Sequence, residues 1–531
     1  MKMKKFIVLM SFLAVVAMPV ANAQDDKKEA QKANETLDFY EQQASSGKQQ
    51  SVHRDTLLHA NTDTLMKHIR ILSSSEYEGR VAGSQAYLDA AQYCAEVLSA
   101  YGVKPYGEEW NQYFPVEYNE IENCNFNTYV NDNDTRTRYV LGRDYVCGSM
   151  TGRGYVEAPV VFCGYGIDDR SFDEYRPVDV QGKIVLCLTG VPDFLPSNVT
   201  DRFATLRDKA AVARKHGAVG LVAINMSESC RPNEVQHFAW CGEGDYMPTF
   251  PIVQPTMEMG DSLLRNEQMT LDSLLEVMNS TKRPCSFHLR KSFEINVNAK
   301  YHPASPTCNV VGVLPGHDER MKKEYVVVGA HLDHVGKQGN TCIFPGADKN
   351  ASGVAALLET ARLLTTMAPD SIEFTKRSII FVLFSGGELQ HLGSRLFVQK
   401  FNRLPNVECF VNSECIGGGD SINVLGNKRY PSLWKIAYEN DSIGAGLLYR
   451  SEKTLPNKGD AAAFALVGIP SLIFTHFQGY HNDHTPSDIS ENIDRKILTR
   501  NASLMAQVIY ELSLGDYQGR SIRSKRFLTS D

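Results

Sequence analysis

Apolar residues recur along this chain in two distinct patterns. Over 53–72, Leu57, Leu58, Leu65, Ile69 and Leu72 repeat at roughly helical spacing, and a second helix is predicted over 85–101, stopped by Gly102. Elsewhere the apolar positions run together, as buried strands do. Such runs cover 160–162, 183–188 and 218–224, with a helix predicted over 203–216, and their glycine punctuation predicts a compact α/β insertion. From Val310 onward the alternation is strongest: strands over 325–330, 378–384, 409–411 and 470–474, and a helix over 352–366. Apolar strands alternating with helices predict an α/β fold, a mostly parallel mixed sheet flanked by helices, with the smaller α/β module inserted.

The polar segments divide this pattern. Lys2, Lys4 and Lys5 precede an apolar run from Phe6 to Met18, and Ala21-Asn22-Ala23 offers small residues for cleavage, so 1–23 read as a signal peptide and the protein as exported, periplasmic or extracellular. Residues 24–50 form a polar leader. The first part of the main domain is expected over 51–150, the insertion over 151–290, the rest of the main domain over 291–515, and a basic tail over 516–531. No later stretch reaches membrane-spanning length. With 55 Lys and Arg against 62 Asp and Glu, a formal charge of −7, the chain does not look like a nucleic-acid binder. Its 12 cysteines are scattered without a Cys-x-x-Cys pair, which leaves a thiolate zinc site unsupported. Cys409 and Cys415 are close enough in sequence to pair, although buried thiols are the simpler reading.

The chemistry-bearing residues follow the predicted strands, where open α/β sheets bind ligands. The first strand runs into His331-Leu332-Asp333-His334. A histidine just past a buried strand can hold a metal, with Asp333 behind it to orient its ring. Gly346-Ala347-Asp348-Lys349-Asn350-Ala351-Ser352-Gly353 opens a helix, and Ser385-Gly386-Gly387-Glu388 with Leu392-Gly393-Ser394 follows the next strand. Asn412-Ser413-Glu414-Cys415-Ile416-Gly417 and His481-Asn482-Asp483-His484-Thr485-Pro486-Ser487-Asp488 complete the set. Ser385 lacks the Gly-x-Ser-x-Gly elbow of a serine nucleophile. Asp460, before a helix starting near Ala461, reads most simply as a helix cap.

Together these segments resemble the zinc-dependent aminopeptidases of metallopeptidase family twenty-eight, which are glutamate carboxypeptidase-like, and the insertion looks like their protease-associated domain. The resemblance spans about residues 69–512 and includes Asn309-Val310-Val311-Gly312 and Glu78-Gly79-Arg80. It implies two zinc ions about 3.5–4 Å apart, bridged by one Asp. The ligand positions fall on His331, Glu388, Glu414 and His484. Three positions depart from the family pattern. Lys349 replaces the bridging Asp, Gly387 replaces the general-base Glu, and Glu414 is a Glu where the family has Asp.

These departures set the functional expectation. Lys349 puts an ammonium where a cation should bind, and it faces Glu388 and Glu414 as an ion-pair centre. The chain therefore reads as a non-catalytic peptidase homologue that takes a peptide or protein ligand. The alternative is a zinc-dependent exopeptidase with weak or rearranged activity, in which Asp348 swings in as a substitute ligand. A monozinc transferase is a third reading, but it also needs the Asp that Lys349 replaces.

Overall fold

A computed structural model describes residues 57–130, 135–226, 246–366, 375–440, 447–448, 459–477 and 481–519. The expected signal peptide and polar leader, Lys458 and most of the basic tail lie outside these residues.

Helix α1 (Thr62–Leu72) begins later than its apolar spacing suggests. Asn61 caps it by accepting from the Thr64 N–H at 2.9 Å, while Leu58 and Ala60 give their N–H groups to the side chains of Gln507 and Ser503. Leu65, Ile69 and Leu72 are buried, whereas Leu57 is exposed. Helix α2 (Gln85–Ala100) is capped by Ser84. A long strand follows, β1 (Asn111–Val130), and then β2 (Gly154–Cys163) and β3 (Ile184–Leu188). Helix α3 (Leu206–Lys215) starts from a capping box between Thr205 and Asp208 and leads to β4 (Gly220–Ile224) and β5 (Ile252–Pro255). Strand β6 (Ser286–Leu314) is 29 residues long. The remainder alternates: β7 (Tyr325–His331), α4 (Gly353–Thr366), β8 (Ser378–Phe384), α5 (Leu392–Lys400), β9 (Val407–Ser413), β10 (Ser421–Leu425), α6 (Ala461–Leu466), β11 (Ser471–Phe477) and α7 (Arg495–Leu514).

One mixed sheet runs through both lobes in the order β10-β11-β9-β7-β8-β6-β2-β3-β4-β5. Strands β8, β7, β9 and β11 are parallel, as are β2 to β5. Strand β6 joins the two sets. Val310–Leu314 pairs antiparallel with β8, and Ser292–Val297 pairs antiparallel with β2. Strand β1 runs antiparallel along β6 from Lys291 to Val310.

The pleat sends alternate residues to opposite faces. Val326, Val328, Phe381 and Leu383 pack under α1, α2, α4 and α7, while Val327, Ile380, Val382 and Phe384 pack on the other face against Phe397 and Phe464. Within the insertion, Val185, Leu221 and Ile252 pack against Ala210 and Ala213 of α3. The sheet thus carries helices on both faces, which places the carboxyl ends of β7, β8 and β9 along one edge. Among the described residues no helix is long and apolar enough to cross a membrane, and the cysteines, Cys409 and Cys415 included, are free thiols.

Candidate metal centre

Strand β7 ends at His331, and the turn beyond it is organised by Arg80. This fully buried guanidinium donates to the carbonyls of Leu332 at 3.0 Å, Pro345 at 2.8 Å and Gly346 at 2.9 Å, and also to that of Leu72. Its own carbonyl accepts from the His334 N–H at 3.1 Å. Arg80 therefore ties the turn after β7 to the loop that opens α4. Asp333 fixes a second loop. Its carboxylate accepts from the N–H groups of Gly387 at 2.8 Å and Glu388 at 3.2 Å, and burial raises it to about 6. It lies 3.8 Å from Nδ1 of His331, too far to hydrogen-bond, and that nitrogen donates to the Asp333 main-chain carbonyl at 3.0 Å. Where the sequence suggested that Asp333 orients the His331 ring, its carboxylate instead positions the backbone of Glu388.

The loop before α4 is pinned from below. Asp488 accepts from the N–H groups of Asp348 at 2.7 Å and Lys349 at 3.0 Å. The Asp348 carboxylate points into the body of the protein, accepting from Gly417 N–H at 2.7 Å and the Ser352 hydroxyl at 2.9 Å, with Nε2 of His476 3.0 Å away. Asn350 donates to the carbonyls of His331 and Ser413 and accepts from Cys415 N–H. These bonds aim the Lys349 side chain at two carboxylates, Glu414 at 3.3 Å and Glu388 at 3.9 Å. Burial opposes the Lys349 charge, but Glu388 and Glu414 outweigh it and hold the ammonium well above its ordinary pKa. Burial likewise pushes the Glu388 carboxyl up, yet His484 and Lys349 outweigh it and keep Glu388 well below the usual range.

Two imidazoles approach the same Glu388 oxygen that faces Lys349. Nε2 of His484 lies 2.9 Å from Glu388 Oε1 without the alignment of a hydrogen bond, and Nδ1 of His334 lies 3.6 Å from the same oxygen. All three side chains are buried, and one ligand atom from each lies within 4.8 Å of the others. Burial pushes His334 down to about 3, so its ring is neutral.

Residues 309–509 match peptidase family M28. Residues 156–263 match the PA domain, ahead of the M28-matched segment. The chain is 24% identical over 416 residues to human transferrin receptor protein 2, covering 68% of this chain and 48% of that protein. Of solved structures, an aminopeptidase from Aneurinibacillus sp. strain AM-1 superposes with a TM-score of 0.59 at 18% identity, covering 87% of this chain and 97% of that one. A zinc aminopeptidase from Bacillus subtilis superposes at 0.58 and 20% identity, with coverage of 87% and 97%. At these identities the likeness is one of fold. The chain spans about half the length of the curated relatives it matches.

The geometry sorts the residues singled out in the sequence. Glu388 and His484 stand together with His334, while His331 and Glu414 lie outside that group and Lys349 reaches between Glu414 and Glu388. The space a side chain at Gly387 would need is filled: a Cβ there would sit 2.5 Å from both Cβ and Cγ of His331. Asp460 is fully buried at the start of α6 but makes no capping bond, which corrects the cap reading, and its Oδ1 lies 3.7 Å from Nδ1 of His391. Ser385 is buried and bonded to Thr307. His334 is the residue that sequence reasoning passed over, although a second histidine three positions after His331 was in plain view.

Proposed function

We propose that this protein is an exported M28 homologue that does not run the two-zinc aminopeptidase reaction and instead binds a peptide or protein ligand. The observation that carries this reading is the Lys349 ammonium, 3.3 Å from Glu414 and 3.9 Å from Glu388, at the position where the family resemblance puts the ligand shared by both metals. The ammonium takes the charge role of the ion that Glu414 would hold, and its charge opposes a close pair of dications. Gly387 adds to the argument, because His331 fills the space that a general-base side chain would need. The residues present therefore do not fit the dinuclear zinc pair, and no catalytic step is routed through it.

The export rests on the lysine-led apolar segment at 1–23, and the domain limits, 51–150 with 291–515 around an insertion at 151–290, rest on the sequence pattern that encloses the matched PA segment. The relatives' names, a receptor in one case and aminopeptidases in others, are compatible with either a binding or a hydrolytic role for the fold. A second reading, a metal-dependent exopeptidase with a rearranged site, is favoured by the grouping of His334, Glu388 and His484.

Zinc content after loading and dialysis, together with hydrolysis of aminoacyl p-nitroanilides, separates these readings. Fewer than two zinc ions per chain and no hydrolysis are expected. Turnover, whether with one zinc ion per chain or two, would overturn the proposal.

A further inference from the structure

We infer that His334, Glu388 and His484 form a mononuclear site for a divalent transition metal, in which His334 supplies a ligand from outside the family's expected set. The inference rests on the reading that the dinuclear pair is absent, and it assigns what the remaining half of the pocket holds.

The pocket holds an imbalance of polar groups. Both ring nitrogens of His334, Nε2 of His484 and Oε1 of Glu388 are buried and make no hydrogen bond within the protein. A buried polar atom without a hydrogen bond costs about 1–3 kcal/mol, and one such atom from each of the three side chains lies within 4.8 Å of the others, so the three call for a common partner. A cation among them would satisfy the carboxylate oxygen and one nitrogen of each ring together.

The distances also suit a metal. Ligand atoms around a tetrahedral zinc lie about 3.3 Å apart, given bonds of about 2.0–2.1 Å. The observed separations from Glu388 Oε1 are 2.9 Å to His484 and 3.6 Å to His334, which bracket that value. The rings of His334 and His484 are 5.3 Å apart between centroids, which leaves room between their nitrogens.

His334 and Glu388 are held in place by the surrounding backbone. The His334 N–H is fixed on the Arg80 carbonyl, and Gly346 lies under its ring, where a Cβ would approach Cγ of His334 to 2.6 Å. Asp333 fixes the Glu388 N–H. Rigid support of this kind is what a metal site requires of its surroundings.

Two imidazoles and one carboxylate suit zinc, cobalt or iron rather than calcium or magnesium. Three protein ligands leave a coordination position open. A cleft lined by Tyr118, Asn119, Lys337 and Gln338 also reaches His334 and Glu388, and it supplies the path by which the ion enters.

The test is a cobalt titration of the full chain after chelator treatment, followed by visible absorption and thermal unfolding. One equivalent with a d–d band is expected. His334→Ala should lower affinity at least about 100-fold, while His331→Ala should leave it within a few-fold. His334→Cys should retain the ion and add a thiolate-to-cobalt charge-transfer band, a readout that a merely structural role would not produce and that holds even if the alanine variant folds poorly. No bound cobalt overturns this inference and leaves the proposed function standing. One equivalent lost in His331→Ala but kept in His334→Ala overturns it as well. Two equivalents in the wild type overturn both.

Discussion

The PA insertion and the M28 site each bury a glutamate, and they treat it in opposite ways. In the insertion, Glu174 folds back on the turn after β2, accepting from Tyr165 N–H at 2.9 Å and Ile167 N–H at 3.0 Å. Gly164 makes room for it: a Cβ there would lie 1.6 Å from the Glu174 carboxylate, and its φ of +45° suits glycine. Burial raises Glu174 to about 7, against the pull of those N–H groups, so it is close to a neutral acid that staples a loop. Glu388, by contrast, is held well below its ordinary value despite its burial, because His484 and Lys349 face it. A carboxylate whose oxygens are occupied by its own loop has a structural task. One aimed at unsatisfied imidazoles and an ammonium belongs to a site.

Removing the counter-charge on the M28 side should have the largest effect. Lys349→Met leaves Glu414 and Glu388 facing each other and should destabilise the metal-free protein by about 3–4 kcal/mol, read by urea unfolding. A loss below about 1 kcal/mol would mean that the two acids are paired elsewhere and that Lys349 is not the centre of the cluster.

The Glu174 side of the comparison is tested by pH. Its folded value is raised from 4.5 to about 7, so between those values the unfolded chain gives up the proton first and stability falls as pH rises. Glu174→Gln removes that slope. Relative to the wild type, the variant should gain up to about 3 kcal/mol between pH 4 and pH 8. A pH-independent difference between the two proteins would sink the neutral-acid account.

The M28 side of this contrast was legible in the sequence, Glu174 was not, and the illegible part has physical causes. The strands ending at His331, Phe384 and Ser413 announce themselves as unbroken apolar runs because both sheet faces are covered, and the motifs at their ends locate Lys349, Glu388, Glu414 and His484. Strand β6 was missed because its buried Phe287, Leu289, Phe293, Ile295, Val297 and Ala299 alternate with polar residues over a length that no single window takes in. Strand β1 hid behind its asparagines and glutamates in the same way. The grouping of His334 with Glu388 was invisible because it depends on where Arg80 and Gly346 place a turn, which spacing does not report. That His331 fills the room at Gly387 is likewise a fact of packing.

That packing gives the next smaller effect. Gly387→Ala drives a Cβ into His331 and should cost about 2 kcal/mol, with His331 displaced. Restoring a carboxylate at this position is therefore harder than replacing one residue. Thermal unfolding measures the cost, and a neutral result would show that His331 yields easily and that the space is available after all.

The smallest effect on stability should carry the sharpest information. Asp333 spends both carboxylate oxygens on the N–H groups of Gly387 and Glu388, so Asp333→Asn keeps one acceptor and turns an amide donor toward the other N–H. The expected loss is about 1 kcal/mol, because one hydrogen bond of two is forfeited. Cobalt affinity should fall further than that loss suggests, about 10–100-fold, since the backbone that aims Glu388 is released. Glu174 offers no such amplification: its oxygens hold a loop, and nothing beyond the loop depends on where they point. If Asp333→Asn lowers stability by the expected amount but leaves cobalt affinity unchanged, then Glu388 is not positioned through its N–H, and the M28 site would resemble the PA loop more closely than their electrostatics suggest.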